Sequence, residues 1–205
     1  MALAHLAAAG VPWGGDLPPV QACPVGERSV LEHQLDTGFA CVPTSSVGRL
    51  FDAVASLAGV RHVVDYEAQA AIEFEALARG VAADDGTYDL TLAAGDADDE
   101  PLVADPSPLI RAVVEDVRAG VAAAVISCRF HGALAAFALD IAERARRRLS
   151  LDVVALTGGV FQNPVLLSLT TRQLRSAGFT VLCHRTVPPN DGGLALGQVL
   201  VGSTG

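Results

Sequence analysis

Residues 153 to 163 read Val-Val-Ala-Leu-Thr-Gly-Gly-Val-Phe-Gln-Asn, an apolar run that ends in paired glycines and then opens a predicted helix. Gly158 and Gly159 tolerate backbone angles that other residues resist, and they let a ligand approach bare backbone N–H groups. A helix that begins near Asn163 would point its positive end at the same place. The stretch therefore predicts a strand, a turn that can bind a phosphate or a nucleotide, and a helix.

A second turn of similar composition follows a second apolar run. Residues 188 to 193 read Pro-Pro-Asn-Asp-Gly-Gly and come shortly after the predicted strand Phe179 to Cys183. With a strand at Leu151 to Leu156 and helices at 163–177 and 192–200, the order is β-α-β-α, which predicts parallel strands and right-handed crossovers. Because parallel strands end at one edge of their sheet, we expect the two turns to face one crevice.

Residues 1 to about 100 lack this alternation and are predicted to be rich in helix. The clearest helix has an apolar stripe and an N-cap in the polar stretch 43–46, and Gly59 supplies its stop. Its stripe residues are Val47, Leu50, Phe51, Val54 and Leu57. Further helices are predicted at 2–9, 26–35, 66–78, 106–119 and 121–149. A strand-like segment at 88–92 and the acidic turn 96–100 predict a hairpin with a solvated loop.

Composition excludes several classes of protein. The 205 residues are half apolar and carry a net charge of −9, which argues against a nucleic-acid surface. The basic cluster Arg144 to Arg148 ends a long helical pattern, where cations are favourable. The four cysteines form no C-x-x-C pair, so neither a zinc ribbon nor a thioredoxin motif is predicted. No apolar run approaches the ~18 residues of a membrane span, and no signal peptide is recognisable, so a cytoplasmic protein is predicted.

Five strings, in this order and spacing, resemble the C-terminal carbamoyltransferase domain of the hydrogenase maturation protein HypF over nearly the whole chain. The strings are Thr44-Ser45-Ser46-Val47-Gly48-Arg49-Leu50-Phe51-Asp52-Ala53-Val54, Tyr66-Glu67-Ala68-Gln69-Ala70-Ala71, Phe130-His131, Leu156-Thr157-Gly158-Gly159-Val160-Phe161-Gln162-Asn163 and Pro188-Pro189-Asn190-Asp191-Gly192-Gly193-Leu194. Several motifs in the right order are far more specific than one glycine-rich turn.

The resemblance implies an α/β fold of the actin-like ATPase (RNase-H-like) type, which is also that of the tRNA threonylcarbamoyl transferase subunit. The chain would be a partial domain relative to the full two-lobe form, a single lobe with an α-rich insertion. Residues 1–205 would form the C-terminal part of the transferase domain, with an α-rich part and hairpin in 1–100 and an α/β nucleotide-binding part in 101–205. The missing N-terminal lobe would come from another chain or be replaced by a homodimer.

The resemblance also implies a reaction. The family makes carbamoyl-adenylate from ATP and carbamoyl phosphate and transfers the carbamoyl group to the C-terminal cysteine of the partner protein HypE, where it becomes the cyanide ligand of the [NiFe] hydrogenase iron. The attacking nucleophile belongs to the partner, so no catalytic residue is assigned in this chain. The alternative is a truncated, catalytically silent remnant that only binds nucleotide or partner.

Site residues follow from the matched positions. Asp52 would accept hydrogen bonds from ribose hydroxyls, Gly158 and Gly159 would form the phosphate-side turn, and Asn163 would contact nucleotide or substrate. Asp191 would ligate a divalent metal, Fe, Zn or Mg, with Asn190 as the competing candidate. The family's other metal ligands are two histidines spaced H-x-x-x-H in the first lobe. The histidines of this chain are isolated: His5, His33, His62, His131 and His184.

Each of these residues has a plainer interpretation. Asp52 could face solvent or pair with Arg49, and Asp191 could be an ordinary turn aspartate. His131 could be a hydrogen-bonded core residue, and a Cys128–His131 nucleophile pair is disfavoured because no third group orients the imidazole. Ala68 stands where the family motif has glycine, which disfavours close approach of a ligand there.

Overall fold

The fold is given by a computed structural model, which describes residues 1–81, 86–93 and 103–203. The chain forms two compact units, Met1–Ala133 and Leu134–Gly205. In the described ranges the helices are α1 (Ala2–Ala8), α2 (Pro18–Ala22), α3 (Val25–Thr37), α4 (Val47–Leu57), α5 (Gln69–Ala78), α6 (Ser107–Arg118), α7 (Ala123–Leu149), α8 (Pro164–Ser176) and α9 (Leu194–Ser203). The strands are β1 (Thr91–Ala93), β2 (Val103–Asp105), β3 (Val153–Leu156) and β4 (Thr180–Cys183).

Helix α4 is the helix that the apolar stripe predicts. Ser46 caps it, because its hydroxyl oxygen accepts a hydrogen bond from the backbone N–H of Arg49. Phe51 is buried and meets the Phe130 ring edge-on at 4.8 Å, an arrangement that aromatic rings favour. Val47, the first stripe residue, is 39% exposed, since it begins the helix before the buried face starts. The stripe thus places α4 in the core of the first unit.

Helix α5 begins three residues later than predicted. Ala68 has a φ of 61° and a ψ of 11°, the left-handed conformation, which a helix cannot include. The backbone N–H of Asp65 donates to Gln69 Oε1 at 2.7 Å, so the first residue of the helix fixes the loop before it. The motif around Ala68 therefore makes a turn and then a helix.

The predicted hairpin is confirmed in its pairing but is shorter than expected. Strands β1 and β2 pair antiparallel from Thr91 with Asp105 to Ala93 with Val103. Tyr88 precedes the strand, and its buried hydroxyl donates to Asp116 Oδ2 at 2.5 Å, which holds the approach to β1 against α6. The acidic turn 96–100 lies outside the described residues.

The second unit is built on the predicted parallel pair. Strands β3 and β4 run parallel, with Val153 opposite Thr180 and Leu156 opposite Cys183, and α8 connects them. The core of this unit consists of Ala142, Leu156, Leu174 and Phe179. The α/β order predicted from the sequence is therefore confirmed for this part of the chain.

Helix α7 is the longest helix among the described residues and ends in the basic cluster. Arg146 forms an ion pair with Asp152 at 2.8 Å, and its guanidinium carbon lies 3.4 Å from the centre of the Phe179 ring. The cluster thus ends a helix, as predicted, and part of it packs on the core. By length and composition alone, α7 could also cross a membrane, the one such helix in 1–81, 86–93 and 103–203. Core helices of soluble proteins can have the same length and composition.

Candidate functional site

The Gly158–Gly159 turn follows β3 directly and needs glycine at its first position. Gly158 has a φ of 95° and a ψ of 157°, a conformation that residues with a Cβ rarely adopt. Its N–H donates to the carbonyl oxygen of Pro189 at 2.8 Å. The sequence predicted that the N–H groups of this turn would be free for a ligand, and for Gly158 that prediction is wrong. The same hydrogen bond joins the two glycine-containing turns. The sequence-based expectation that both turns lie at one edge of the strand pair is therefore confirmed.

Asn163 is the N-cap of α8. Its Oδ1 accepts a hydrogen bond from the backbone N–H of Leu166 at 2.9 Å, and Pro164 occupies the first helical position, where its missing N–H costs nothing. The helix therefore begins where the sequence predicts. The amide oxygen of Asn163 already has a structural partner, and its contact with a nucleotide stays a prediction.

The second turn positions Asn190 and Asp191 in different ways. Asn190 Oδ1 accepts a hydrogen bond from Gly192 N–H at 3.1 Å, and its Cβ lies 3.8 Å from the point where a Cβ on Gly159 would stand. Asp191 begins a short 3₁₀ turn and is exposed. A Cβ on Gly193 would lie only 2.7 Å from the Pro188 carbonyl oxygen, which excludes larger residues there. The turn is thus sterically fixed around Asn190.

The described residues contain no group of three or more His, Cys, Asp or Glu side chains that could hold a metal ion. Asp191 would supply a single carboxylate, whereas divalent cations in proteins take several oxygen or nitrogen ligands. The described residues therefore do not form a complete metal site by themselves.

Asp52 lies on α4 in the first unit, whereas both glycine turns lie in the second. Its Oδ2 is 3.1 Å from Arg49 Nη2, and its side chain is 18% exposed. This is the ion pair that the plainer interpretation anticipated. A carboxylate already held by one cation can still accept hydrogen bonds from ribose hydroxyls, because it offers several lone pairs.

His131 is a core residue. It is fully buried, and its Nδ1 lies 2.7 Å from the carbonyl oxygen of Ser127 on the preceding turn of α7. Burial lowers the pKa of His131, which favours the neutral imidazole. Cys128 Sγ donates to the Ala78 carbonyl oxygen at 3.6 Å. These contacts support the structural interpretation of both residues.

A cleft opens where β3 and β4 end, at the edge of the strand pair where the sequence predicts a crevice between the two turns. Thr157 and His184 are the residues directly after the last paired positions, and His184 Nε2 lies 2.9 Å from Thr157 Oγ1. The cleft has a volume of about 670 Å³, within the range of small-molecule sites. Its lining is Thr157, His184, Val187, Pro188, Pro189, Asn190, Gly193, Leu194, Gly197, Gln198, Val201 and Gly202.

The predicted site residues contribute little to this cleft. Asn190 lines it, whereas Gly158, Gly159, Asn163 and Asp191 do not. Thr157 and His184 could have been found from the rule that ligands bind at the carboxyl ends of parallel strands, because each directly follows a predicted strand.

Charge is distributed unevenly along the chain. Residues 134–205 contain seven arginines and four carboxylates, a formal charge of +3, although the whole chain has −9. The unit with the glycine turns is therefore the one that favours an anionic ligand.

The comparisons with known proteins agree with the motifs. The family profile described as "Carbamoyltransferase, Kae1-like Domain, second subdomain" matches residues 1–198. The chain is 45% identical over 156 residues to carbamoyltransferase HypF of Rhizobium leguminosarum bv. viciae, covering 76% of this chain and 19% of that protein. It is 39% identical over 157 residues to carbamoyltransferase HypF of Synechocystis, covering 77% and 19%.

A solved structure shares the fold. A crystal structure of full-length HypF in the phosphate- and nucleotide-bound form superimposes with a TM-score of 0.82 at 35% identity, over 91% of this chain and 24% of that one. The chain spans about a fifth of the length of the two HypF relatives named above. It has an α/β HypF-domain fold, and the proteins it resembles are transferases. The profile match over 198 residues shows that the chain belongs to the HypF carbamoyltransferase family, in the second subdomain of its Kae1-like domain.

Proposed function

We propose that the chain is the nucleotide-side part of a carbamoyltransferase of [NiFe] hydrogenase maturation, which moves a carbamoyl group from carbamoyl-adenylate to the C-terminal cysteine of a HypE-like acceptor. One observation carries the proposal. The Gly158 N–H to Pro189 carbonyl hydrogen bond joins two glycine turns at the carboxyl ends of parallel strands, where nucleotides bind in α/β folds. The relative solved with phosphate and nucleotide has the same fold over this region.

The proposed contacts are those that the matched motif positions imply. Gly159, at the start of a 3₁₀ turn, brings backbone close to the phosphate side of the ligand, while Gly158 holds the turn in place. Asp52 accepts hydrogen bonds from the ribose hydroxyls, and Asn163 contacts nucleotide or substrate. Asp191, or Asn190, contributes one ligand to a metal whose remaining ligands lie outside the described residues.

The transfer step needs a nucleophile from the acceptor. After its thiol loses a proton, the cysteine sulfur attacks the carbamoyl carbon, the bond from that carbon to the phosphate oxygen breaks, and AMP leaves with the electron pair. Positioning of the two reactants is the main contribution we assign to this chain, because no nucleophile is needed here.

We also propose that the second unit is a piece of an actin-like ATPase lobe. Parallel sheets are normally covered on both faces, yet Val153 and Leu182 on the two-stranded pair are each more than half exposed. Further chain, from the N-terminal lobe or a second copy, would cover this face of the strand pair. A cytoplasmic location fits this role. A silent nucleotide- or partner-binding remnant is the second candidate, favoured by the incomplete metal site of the described residues.

Calorimetric titration with ATP tests the nucleotide site. We expect wild type to bind and Asp52→Ala to bind roughly 10- to 150-fold more weakly, because a hydrogen bond to a charged group contributes roughly 1.5–3 kcal/mol. Asp36→Ala, an exposed aspartate on α3, is the matched control and should bind as wild type does. Equal affinity in Asp52→Ala would contradict the ribose contact.

Carbamoyl transfer separates the enzyme from the remnant. The chain is mixed with the upstream part of a full-length relative, ATP, labelled carbamoyl phosphate and a HypE acceptor, and label on the acceptor is measured. Label that depends on this chain supports the transferase, whereas nucleotide binding without transfer supports the remnant.

A further inference from the structure

A groove runs along α8 and shares no lining residue with the cleft at the ends of β3 and β4. Its volume is about 540 Å³, and its residues on α8 recur every three or four positions from Pro164 to Ser176. Cys183 of β4 also lines it, with Sγ 3.8 Å from Thr171 Oγ1. Because residues at this spacing share one face of a helix, this α8 groove follows the whole helix.

The lining of the α8 groove is basic and rich in hydrogen-bond donors. Arg172 and Arg175 line it, and both are exposed. The lining hydroxyl side chains are Ser168, Thr171 and Ser176, and none of the described residues that line the groove is Asp or Glu. A guanidinium group only donates hydrogen bonds and matches the geometry of a carboxylate. The groove therefore suits a ligand that carries negative charge.

The chain does not neutralise the two arginines of the groove. Ion pairs of the second unit take up three of its four carboxylates: Arg144 with Asp140, Arg146 with Asp152, and Arg147 with Glu143. The fourth, Asp191, belongs to the second glycine-containing turn and does not line the groove. Within the described ranges, neither Arg172 nor Arg175 has an ion pair. The helix dipole would explain Arg175 in the last turn of α8, but not Arg172, which lies before it.

The length of the α8 groove favours a polypeptide over a small anion. Thirteen residues of helix span about 20 Å at about 1.5 Å per residue, the length of about six residues of extended chain. Side chains three positions apart on a helix are about 5–6 Å apart, close to the roughly 7 Å between alternate side chains of an extended chain. Arg172 and Arg175 can therefore meet two carboxylates that stand at alternate positions of such a chain.

We infer that the α8 groove is a docking surface for an extended, acidic segment of a partner protein, with carboxylates at alternate positions that pair with Arg172 and Arg175. The hydroxyl groups of Ser168 and Ser176 remain available to the backbone of the segment. This surface is separate from the proposed nucleotide site, so the inference does not depend on the proposed function.

Fluorescence anisotropy with two labelled hexapeptides tests the inference, one that alternates glutamate with valine and one that alternates glutamine with valine. We expect the full 205-residue chain to bind the glutamate peptide at least about 10-fold more tightly, and high salt to weaken that binding. Arg172→Gln and Arg175→Gln should each weaken it about 5-fold, the loss expected of one exposed ion pair. Arg172→Lys keeps the charge and should recover part of the affinity.

Arg185→Gln is the matched control, because Arg185 is an exposed arginine of the same unit that does not line the α8 groove. It removes the same charge and should bind the glutamate peptide as wild type does. Thermal unfolding should show that each of these exposed positions can be changed without loss of the fold.

Four results would overturn the inference. Wild type that binds neither peptide, or both equally, would show that the groove does not recognise acidic segments. Equal weakening by Arg185→Gln would assign the binding to net charge. Full competition by inorganic phosphate at the concentration of the peptide would make the groove a small-anion site. If the arginine variants reduce self-association of the chain and leave peptide binding unchanged, the occupant is a second copy.

Discussion

Ala68 adopts a backbone conformation that glycine adopts more easily. Its φ of 61° is left-handed, and L-residues with a Cβ pay about 1 kcal/mol or more for that conformation. The motif that this segment resembles has glycine at the position. Close ligand approach was one reason to expect glycine there, and the structure supplies a conformational one.

Ala68→Gly should therefore stabilise the chain. We expect a gain of about 0.5–1 kcal/mol in the free energy of unfolding, measured by urea denaturation, since relief of strain exceeds the added entropy of the unfolded chain. Ala71→Gly, three residues on and inside α5, is the matched control and should cost about 1 kcal/mol. Destabilisation by both variants would show that Ala68 is not strained.

His131 should make stability depend on pH. Burial lowers its pKa in the folded state, so between that pKa and the unfolded value of about 6.5 the unfolded chain binds more protons. Stability is therefore fully present above pH 6.5 and falls as pH decreases towards the folded pKa, by at most about 1.4 kcal/mol per pH unit from this group. His5 and His62, whose pKa values are also lowered by burial, add to the same trend.

The pH effect is measured by chemical denaturation from pH 7.5 to 5. His131→Gln should flatten the slope of stability against pH, even if its absolute stability is lower. His33→Ala changes an exposed histidine and should leave the slope intact. An unchanged slope in His131→Gln would assign the pH dependence to other groups.

At the scale of elements, α8 connects the Gly158–Gly159 turn of the proposed site to the core of the second unit. Its cap residue Asn163 follows the glycine turn, and the helix packs Leu174 into the core of the second unit. A single residue thus ends the ligand-side turn and begins a structural helix.

Substitutions at Asn163 can separate these two roles. Asn163→Ala should destabilise the chain by about 1 kcal/mol, because the N-H of Leu166 loses its acceptor, while Asn163→Asp should keep the cap. If Asn163 also contacts the nucleotide, the aspartate variant should keep its stability but bind ATP more weakly, owing to the added negative charge near the phosphates. Thermal unfolding and ATP titration of both variants, with Gln162→Ala as control, give the answer. Wild-type affinity in Asn163→Asp would limit the residue to its capping role.

The sequence predicts those elements whose pattern is local. The stripe of α4 and the apolar run of β4 carry enough information by themselves, and both were predicted within a residue of their bounds. The start of α5 depends on the left-handed conformation of Ala68. The absence of strand at Tyr88 depends on the tertiary hydrogen bond from its hydroxyl to Asp116. Neither leaves a periodic signal. Helix α2 was not predicted, because its five residues are too few to show a periodic pattern.

In the candidate site too, the sequence predicts some features and leaves others to the structure. The meeting of the two turns follows from the β-α-β order, which the sequence shows directly. The pairing of Thr157 with His184 depends on strand register, since it requires Leu156 to lie opposite Cys183. Register is not visible in a single sequence, so the hydrogen bond between Thr157 and His184 emerged only from the structure.

At the scale of the whole molecule, the exposed apolar surface of α9 is the main feature. Leu194, Leu196, Val199, Leu200 and Val201 are between 47% and 76% exposed. Several large apolar side chains on one short helix are unusual on the surface of a monomer and mark an interaction site. This agrees with a chain that spans about a fifth of its relatives.

The chain by itself should therefore self-associate through α9. Sedimentation velocity at micromolar concentrations should show dimers or larger species, and the double variant Leu196→Glu/Val199→Glu should shift them towards monomer, because charges resist burial in an apolar interface. Val30→Glu, at an exposed valine on α3, is the control and should leave the distribution unchanged. Adding the upstream lobe of a relative should compete with self-association if that lobe covers the same helix. A monomeric wild type would show that the apolar surface of α9 is stable in water. That result would contradict the prediction that a partner covers this helix.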